Sequence, residues 1–83
     1  MRVDLFPEIK KLLVDHLGAE DKDITPQARL VEDLGVDSLD LVELVIALEE
    51  RFKIEVSDKD AEGLRTVQQV IDYLEKKGVS NTA

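Results

Sequence analysis

The fold follows from the most apolar segment of the chain, residues 38–52, which read SLDLVELVIALEERF. At 100° per residue, apolar side chains at three- and four-residue spacing gather on one side of a helix, where a bundle buries them. The residues predicted to be buried in this way are Leu41, Leu44, Val45, Leu48 and Phe52. We expect this helix to begin at Asp37 or Ser38 and to end near Phe52.

A second apolar stripe lies on the other side of the same helix. Leu39, Val42 and Ile46 line up there, with acidic residues on both margins. Either another helix of the bundle covers this stripe, or it is a docking surface. Docking is favoured because the other helices carry single stripes, and because Glu49 and Glu50 lie in the last turn, where the helix dipole disfavours anions. The residues predicted to bind partners are Asp40, Val42, Glu43, Ile46, Glu49 and Glu50.

A first helix is predicted over residues 5–17, with Asp4 as its cap. Pro7 is tolerated in its first turn, and Gly18 supplies a left-handed exit. The apolar residues on its inner face are Phe6, Ile9, Leu13 and Leu17.

Two capping boxes predict the helices that follow residue 52. Ser57 with Asp60 opens a short helix that ends near Glu62, and Thr66 with Gln69 opens the last helix. The apolar face of the last helix consists of Val67, Val70, Ile71 and Leu74. The sequence therefore predicts an all-α fold, a small four-helix bundle with three longer helices, one short helix and a long first loop.

The long first loop covers residues 19–37 and exceeds most connections in compact domains. Leu30, Val31 and Leu34 are expected to pin it across the bundle. We also expect Thr25-Pro26 to open a short helical turn.

Length and composition limit the chain to one small domain. Its 83 residues include no cysteine, which excludes disulfides, thiolate zinc sites and a cysteine nucleophile. Residues 1–78 are predicted to form the domain, and residues 79–83 a flexible C-terminal tail. No run has the apolar length of a signal peptide or a membrane helix, so we expect a soluble, cytoplasmic monomer.

The charge of the chain is strongly negative and concentrated. There are 19 acidic residues against 11 lysines and arginines, and residues 31–50 contain no basic residue at all. Such a field repels nucleic acid and anionic membranes and attracts basic protein surfaces. We therefore expect basic proteins as partners, and neither nucleic acid nor a membrane.

Ser38 is the candidate functional residue. If Asp37 caps the helix, Ser38 becomes the first helical residue and its hydroxyl stays free. A phosphate attached there would lie beside unpaired N–H groups at the positive end of the helix. A serine next to an aspartate at a helix start is more often a simple cap, so the pattern by itself leaves both roles open.

Residues 33–40, which read Asp-Leu-Gly-Val-Asp-Ser-Leu-Asp, resemble the phosphopantetheine attachment segment of acyl carrier proteins. The likeness continues in Glu43-Leu44, Ala47-Leu48-Glu49-Glu50, Thr66-Val67 and Asp72-Tyr73-Leu74. It implies that a phosphopantetheinyl transferase, a holo-acyl-carrier-protein synthase, moves 4′-phosphopantetheine from coenzyme A to Ser38. Asp37 and Leu39 are then the cofactor-binding neighbours of the attachment residue.

The resemblance also implies what the protein does. It would carry growing acyl chains as thioesters between basic-surfaced enzymes of fatty acid biosynthesis, without being an enzyme itself. The only histidine, His16, lies on the first helix, and no motif makes it a base for Ser38. The acyl chain would slip between the second, third and fourth helices. The candidate lining residues are Leu48, Val56, Ala61, Leu64 and Val70.

Several positions depart from the family's usual acidic pattern. They are the basic residues Arg29, Arg51, Lys53 and Lys59 and the apolar Leu41. A specialised carrier for a polyketide or another pathway is therefore an alternative, as is an unmodified interaction subunit in which Ser38 only caps. A calcium loop beginning at Asp58 is rejected because Gln69 stands where an EF-hand needs its glutamate.

Overall fold

The computed structural model describes residues 5–78, and its regular structure is helical. The helices are α1 (Phe6–Leu17), α2 (Ser38–Phe52), α3 (Asp58–Glu62) and α4 (Val67–Lys76), with a 3-10 turn at Asp21–Asp23. No strand forms within residues 5–78. The predicted all-α bundle of three longer helices and one short helix is confirmed. The Asp4 cap and the tail at residues 79–83 were predicted for positions outside the described residues.

The core lies between α1, α2 and α4, because α1 packs against both of the other long helices. The largest fully buried side chains are Leu5, Ile9, Leu13, Leu30, Leu44, Leu48, Val67, Val70 and Leu74. Each contributes roughly 1.5–3 kcal/mol by leaving water. No polar or charged residue is buried in the described part of the chain, so the core is apolar throughout.

The inner face of α2 is only partly closed. Leu44 and Leu48 are fully buried as predicted, whereas Leu41, Val45 and Phe52 are half-buried. Leu41 and Val45 face α3, which has five residues and buries none of them. It is too small to cover the side of α2 that faces it.

The long first loop is fastened to the start of α4. The Leu30 amide donates a hydrogen bond to the Arg65 carbonyl at 2.9 Å, and Arg29 forms an isolated antiparallel bridge with Thr66. In return, the Val67 amide donates to the Ala28 carbonyl at 3.1 Å. The first amides of a helix have no intrahelical acceptor, so these bonds satisfy groups that would otherwise need water.

The prediction that Val31 pins this loop is wrong, because its side chain is 63% exposed. Residues 29–35 form helix-like turns, in which Gly35 donates to the Val31 carbonyl and Leu34 to the Arg29 carbonyl. Residues four apart share a face of such a turn, so Leu30 is buried and Leu34 packs against the core while Val31 points away. The turn predicted to open at Thr25-Pro26 does form, since the Ala28 amide donates to the Thr25 carbonyl at 3.0 Å. A separate 3-10 turn lies at Asp21–Asp23.

Only one of the two predicted capping boxes is complete. Thr66 and Gln69 form both of their hydrogen bonds at the start of α4. At α3, the Ser57 hydroxyl accepts a bond from the Asp60 amide at 3.1 Å, but the return bond is missing. The Asp60 carboxylate accepts a hydrogen bond from the Tyr73 hydroxyl of α4 instead, at 2.8 Å.

Candidate functional site

Two aspartates cap the start of α2. Asp37 has an extended backbone, and its Oδ1 accepts a hydrogen bond from the Asp40 amide at 2.8 Å. The Oδ2 atom of Asp40 accepts one from the Asp37 amide at 3.3 Å. Of the two candidate caps that the sequence offered, Asp37 is the one used, so the hydroxyl of the following serine is not needed as a cap.

Ser38 is the first residue of α2, and it is exposed. Its hydroxyl has no hydrogen-bond partner among residues 5–78. The Asp40 and Leu41 amides are both bonded to Asp37, but the Ser38 and Leu39 amides have no acceptor in the described part of the chain. A phosphate on the Ser38 oxygen would thus meet free donors at the positive end of a helix. The residues present fit a phosphate-linked group.

The apolar stripe on the outside of α2 is open. Leu39, Val42 and Ile46, here called the outer stripe, are 67%, 53% and 48% exposed. No other helix within residues 5–78 covers them. Of the two alternatives left open by the sequence, burial of the stripe under another helix is therefore excluded, and the stripe is an exposed surface. Glu43 and Glu50 are exposed at its margins, and Asp40 is half-buried within the capping box.

Glu49 differs from the other acids predicted to bind partners. It is half-buried, and its Oε2 accepts a hydrogen bond from the Val56 amide at 3.0 Å. An internal contact therefore accounts for this acid in the last turn, and its role in partner binding stays a prediction. Its carboxylate ties the end of α2 to the segment that leads into α3.

The structure brings together only part of the predicted acyl-chain lining. A groove of about 430 Å³ between α2 and α3 includes Val56 and Ala61. Leu64 lies in a neighbouring groove of about 450 Å³, while Leu48 and Val70 are fully buried in the core. An acyl pocket joining all five residues stays a prediction.

Two residues that the sequence pattern places in the core contribute to the groove between α2 and α3. Leu41 and Val45 were assigned to the core, yet they line this groove beside the outer-stripe residues Val42 and Ile46. Their positions between the two stripes of α2 are the only signal that the sequence offered.

Asp33 lies in the predicted attachment segment, but its contacts stabilise the long first loop. Its carboxylate accepts hydrogen bonds from the Arg29 amide at 2.8 Å and from the Arg29 Nε at 3.2 Å. The hydrogen bond from the Arg29 side chain holds the pKa of Asp33 below its usual value. Asp33 therefore stabilises the turn beside the site and leaves Ser38 unencumbered.

Two classes of site find no support in residues 5–78. No three acidic, histidine or cysteine side chains there are grouped so that they could hold a metal ion. None of the described helices is both long and apolar enough to cross a bilayer.

An exposed serine at an open helix start on a small helical bundle fits a carrier domain with a phosphate-linked arm. The family described as "Phosphopantetheine attachment site" matches residues 7–74. A curated relative, "Acyl carrier protein" of Bdellovibrio bacteriovorus, is 50% identical over 74 residues, which cover 89% of this chain and 95% of the relative. The chain belongs to the acyl carrier protein family, and it is a carrier of phosphopantetheine.

Proposed function

We propose that Ser38 is the attachment residue and that the protein shuttles acyl groups between enzymes of fatty acid biosynthesis. The observation that carries this proposal is the free, exposed Ser38 hydroxyl, which is available because Asp37 caps α2. When bound, the phosphopantetheine arm supplies the thiol that holds an acyl group as a thioester. The residues of this chain position the arm and present it to other proteins.

The chain is proposed to be a substrate of its modifying enzyme and not itself a catalyst. A serine oxygen needs a base to become a nucleophile. His16 is exposed on α1, and within residues 5–78 no side chain forms a hydrogen bond with the Ser38 hydroxyl. The base must therefore come from a phosphopantetheinyl transferase, with Ser38 oriented for it by the Asp37–Asp40 capping box.

The outer stripe is the proposed docking surface for that transferase and for basic-surfaced enzymes that load and unload the arm. Its exposed aliphatic side chains offer area to bury on binding, and Glu43 and Glu50 surround them with negative charge. Opposite charge on a partner speeds encounter, and added salt weakens this attraction. Glu49 contributes less to this surface than Glu43 and Glu50 do, because its carboxylate already accepts a hydrogen bond from the Val56 amide.

The basic departures from the family pattern do little to disturb this surface. Arg51 pairs with Glu8 of α1, and Arg29 pairs with Asp33, so two of the four extra cations are used inside the molecule. Lys53 and Lys59 are exposed and remain available to change the set of partners. This balance favours a fatty acid carrier over a specialised carrier of a polyketide pathway.

Intact mass spectrometry tests the attachment. The full chain is incubated with coenzyme A and a phosphopantetheinyl transferase, with Ser38→Ala as the matched control. The wild type is expected to gain the mass of one arm and the variant none. A gain on the variant contradicts the assignment of Ser38. No gain on the wild type, together with salt-sensitive binding of a partner, would favour the unmodified interaction subunit.

The pathway needs a second measurement. Protein isolated from its own cell is digested, and the acyl groups on its arm are identified by mass. Saturated and 3-hydroxy acyl groups that differ by two carbons are expected for fatty acid synthesis. A single unusual acyl group would favour the specialised carrier.

A further inference from the structure

Helix α3 has little of its own to hold it in place. Its residues are exposed except for Ala61, which is half-buried, and none is buried. The chain is anchored on either side by Val56 and Leu64, which are 8% and 6% exposed. The position of α3 between these anchors therefore depends on a few polar contacts.

One side-chain hydrogen bond joins α3 to α4. The Tyr73 hydroxyl donates to Oδ2 of Asp60 at 2.8 Å, and the half-buried Tyr73 ring also lies 5.4 Å from the Lys77 Nζ. We call the Tyr73–Asp60 contact the clasp. Among the described residues, no other side-chain hydrogen bond connects α3 itself to a long helix, since the bond from Glu49 reaches Val56 before α3 begins.

Grooves flank α3 on both sides. The groove toward α2 has a volume of about 430 Å³, and the groove toward α4 has a volume of about 420 Å³ and is lined by Tyr73, Asp60 and Leu64. The clasp lies on the α4 side only. With the clasp closed, α3 is fixed toward α4 and the α2 side is the one that can widen.

We propose that Tyr73 and Asp60 are positioning residues that fix α3 against α4 and thereby limit the length of acyl chain that the domain admits on its α2 side. The part that concerns acyl chains rests on the proposed function. The clasp itself is a property of the chain with or without an arm.

The chemistry of Tyr73 agrees with the clasp. Loss of solvent around the hydroxyl, followed by the hydrogen bond to the Asp60 carboxylate, raises the pKa of Tyr73 to about 12. Tyr73 is the only tyrosine, and the chain has no tryptophan. Its absorbance and fluorescence therefore report on this one position.

Hydrogen exchange on the full chain without an arm tests the clasp. The reporters are the Ala61, Gly63 and Leu64 amides, which donate the backbone hydrogen bonds of α3. Tyr73→Phe keeps the ring and removes the donor. Because one hydrogen bond is lost, exchange at these amides should quicken roughly three- to tenfold while the cores of α1 and α4 stay unchanged.

Further variants separate the clasp from general destabilisation. Asp60→Ala should match Tyr73→Phe, and the double variant should be no faster than either single variant, since both remove the same bond. Asp60→Asn keeps an acceptor and should restore most of the protection. Gln68→Ala, which removes a 2.9 Å side-chain bond to Asp72 within α4, is the matched control and should leave α3 unchanged. Additive effects, or equal acceleration in all helices, would overturn the proposal.

Acyl chains of graded length on the arm test the limit on length. The rate at which hydroxylamine cleaves each thioester is compared between the wild type and Tyr73→Phe. The variant is expected to protect longer chains than the wild type does. An unchanged limit, or protection lost at every length, would overturn the role in chain length. If no arm can be attached at Ser38, the proposed function fails while the exchange result still decides the clasp.

Discussion

The starts of α2 and α4 share the same capping motif but differ in whether the first amides of the helix are covered. Both helices begin with a complete capping box. At α4 the Thr66 hydroxyl is consumed as the cap, and loop carbonyls of Ala28 and Pro26 accept the Val67 and Gln68 amides. At α2 the cap is an aspartate, so the hydroxyl of Ser38 is left over and no loop covers the first amides.

This difference explains how two helices with the same capping motif can present one covered and one open start. A capping box satisfies two amides at most, and what happens to the remaining donors depends on the neighbouring chain. The long first loop crosses the start of α4 and leaves the start of α2 open. An anion is therefore favoured at α2 and excluded at α4, although the two sequence patterns look alike.

The largest effect is expected from placing a serine at the start of α4, where loop carbonyls cover the first amides. Val67 is the first residue of α4 and fully buried, so it corresponds to Ser38 of α2. Val67→Ser should lower the free energy of unfolding by about 2–3 kcal/mol, because it removes methyl groups and buries a hydroxyl. Urea denaturation measures this change.

The same substitution in a Ser38→Ala background should gain no phosphopantetheine when coenzyme A and transferase are supplied. Ser38→Ala alone, which changes an exposed side chain, is the stability control and should alter unfolding by less than about 0.5 kcal/mol. An arm found at position 67 would show that a covered helix start is as available as an open one.

The cap of α4 has the next largest effect. Thr66→Ala should cost about 1 kcal/mol of stability, since the hydroxyl that accepts the Gln69 amide at 3.1 Å has no substitute nearby. Thr66→Ser keeps the hydroxyl and is the matched control. Equal losses in the two variants would mean that the methyl group, and not the cap, stabilises this helix start.

The cap of α2 should be easier to replace. In Asp37→Ala, the Ser38 hydroxyl can accept an amide hydrogen bond in place of the carboxylate, so the loss should stay below that of Thr66→Ala. The rate of phosphopantetheine attachment should fall, because the hydroxyl is now engaged. Asp37→Ser retains a cap and should preserve the attachment rate better. A faster attachment in Asp37→Ala would contradict the proposal that Asp37 caps α2 and thereby keeps the Ser38 hydroxyl free.

The sequence predicted local features well because capping boxes and apolar spacing depend on residues three or four apart. The Thr66–Gln69 capping box, the bounds of α2 and the buried face of α4 follow from such short-range patterns. The outward turn of Val31 could not be predicted, since it depends on the loop bonding to Arg65 across the bundle. The Tyr73–Asp60 contact is likewise set by packing, because no local pattern joins residues thirteen apart.

The predicted acyl-chain lining also shows that packing between distant segments could not be predicted from the sequence. Resemblance to a family identified Val56 and Ala61, which do line a groove, but also Leu48 and Val70, which are closed in the core. Whether a side chain lines an open groove depends on the size and position of α3. A helix of five residues leaves too weak a pattern to place its neighbours.

The ion pair in the long first loop gives the smallest and most local effect. The side-chain hydrogen bond from Arg29 lowers the pKa of Asp33, so the contribution of this pair to stability is complete above the usual aspartate pKa. It should be lost only as the pH falls through the lowered value. The carboxyl carbon shift of Asp33, followed by NMR, should have its midpoint below the usual aspartate value. In Arg29→Gln the Asp33 midpoint should rise toward that of an ordinary aspartate, while attachment of the arm at Ser38 stays near the wild-type rate because the Asp37–Asp40 box is untouched. An Asp33 midpoint that does not move would mean that the Arg29 amide, and not its guanidinium, holds this carboxylate in the loop.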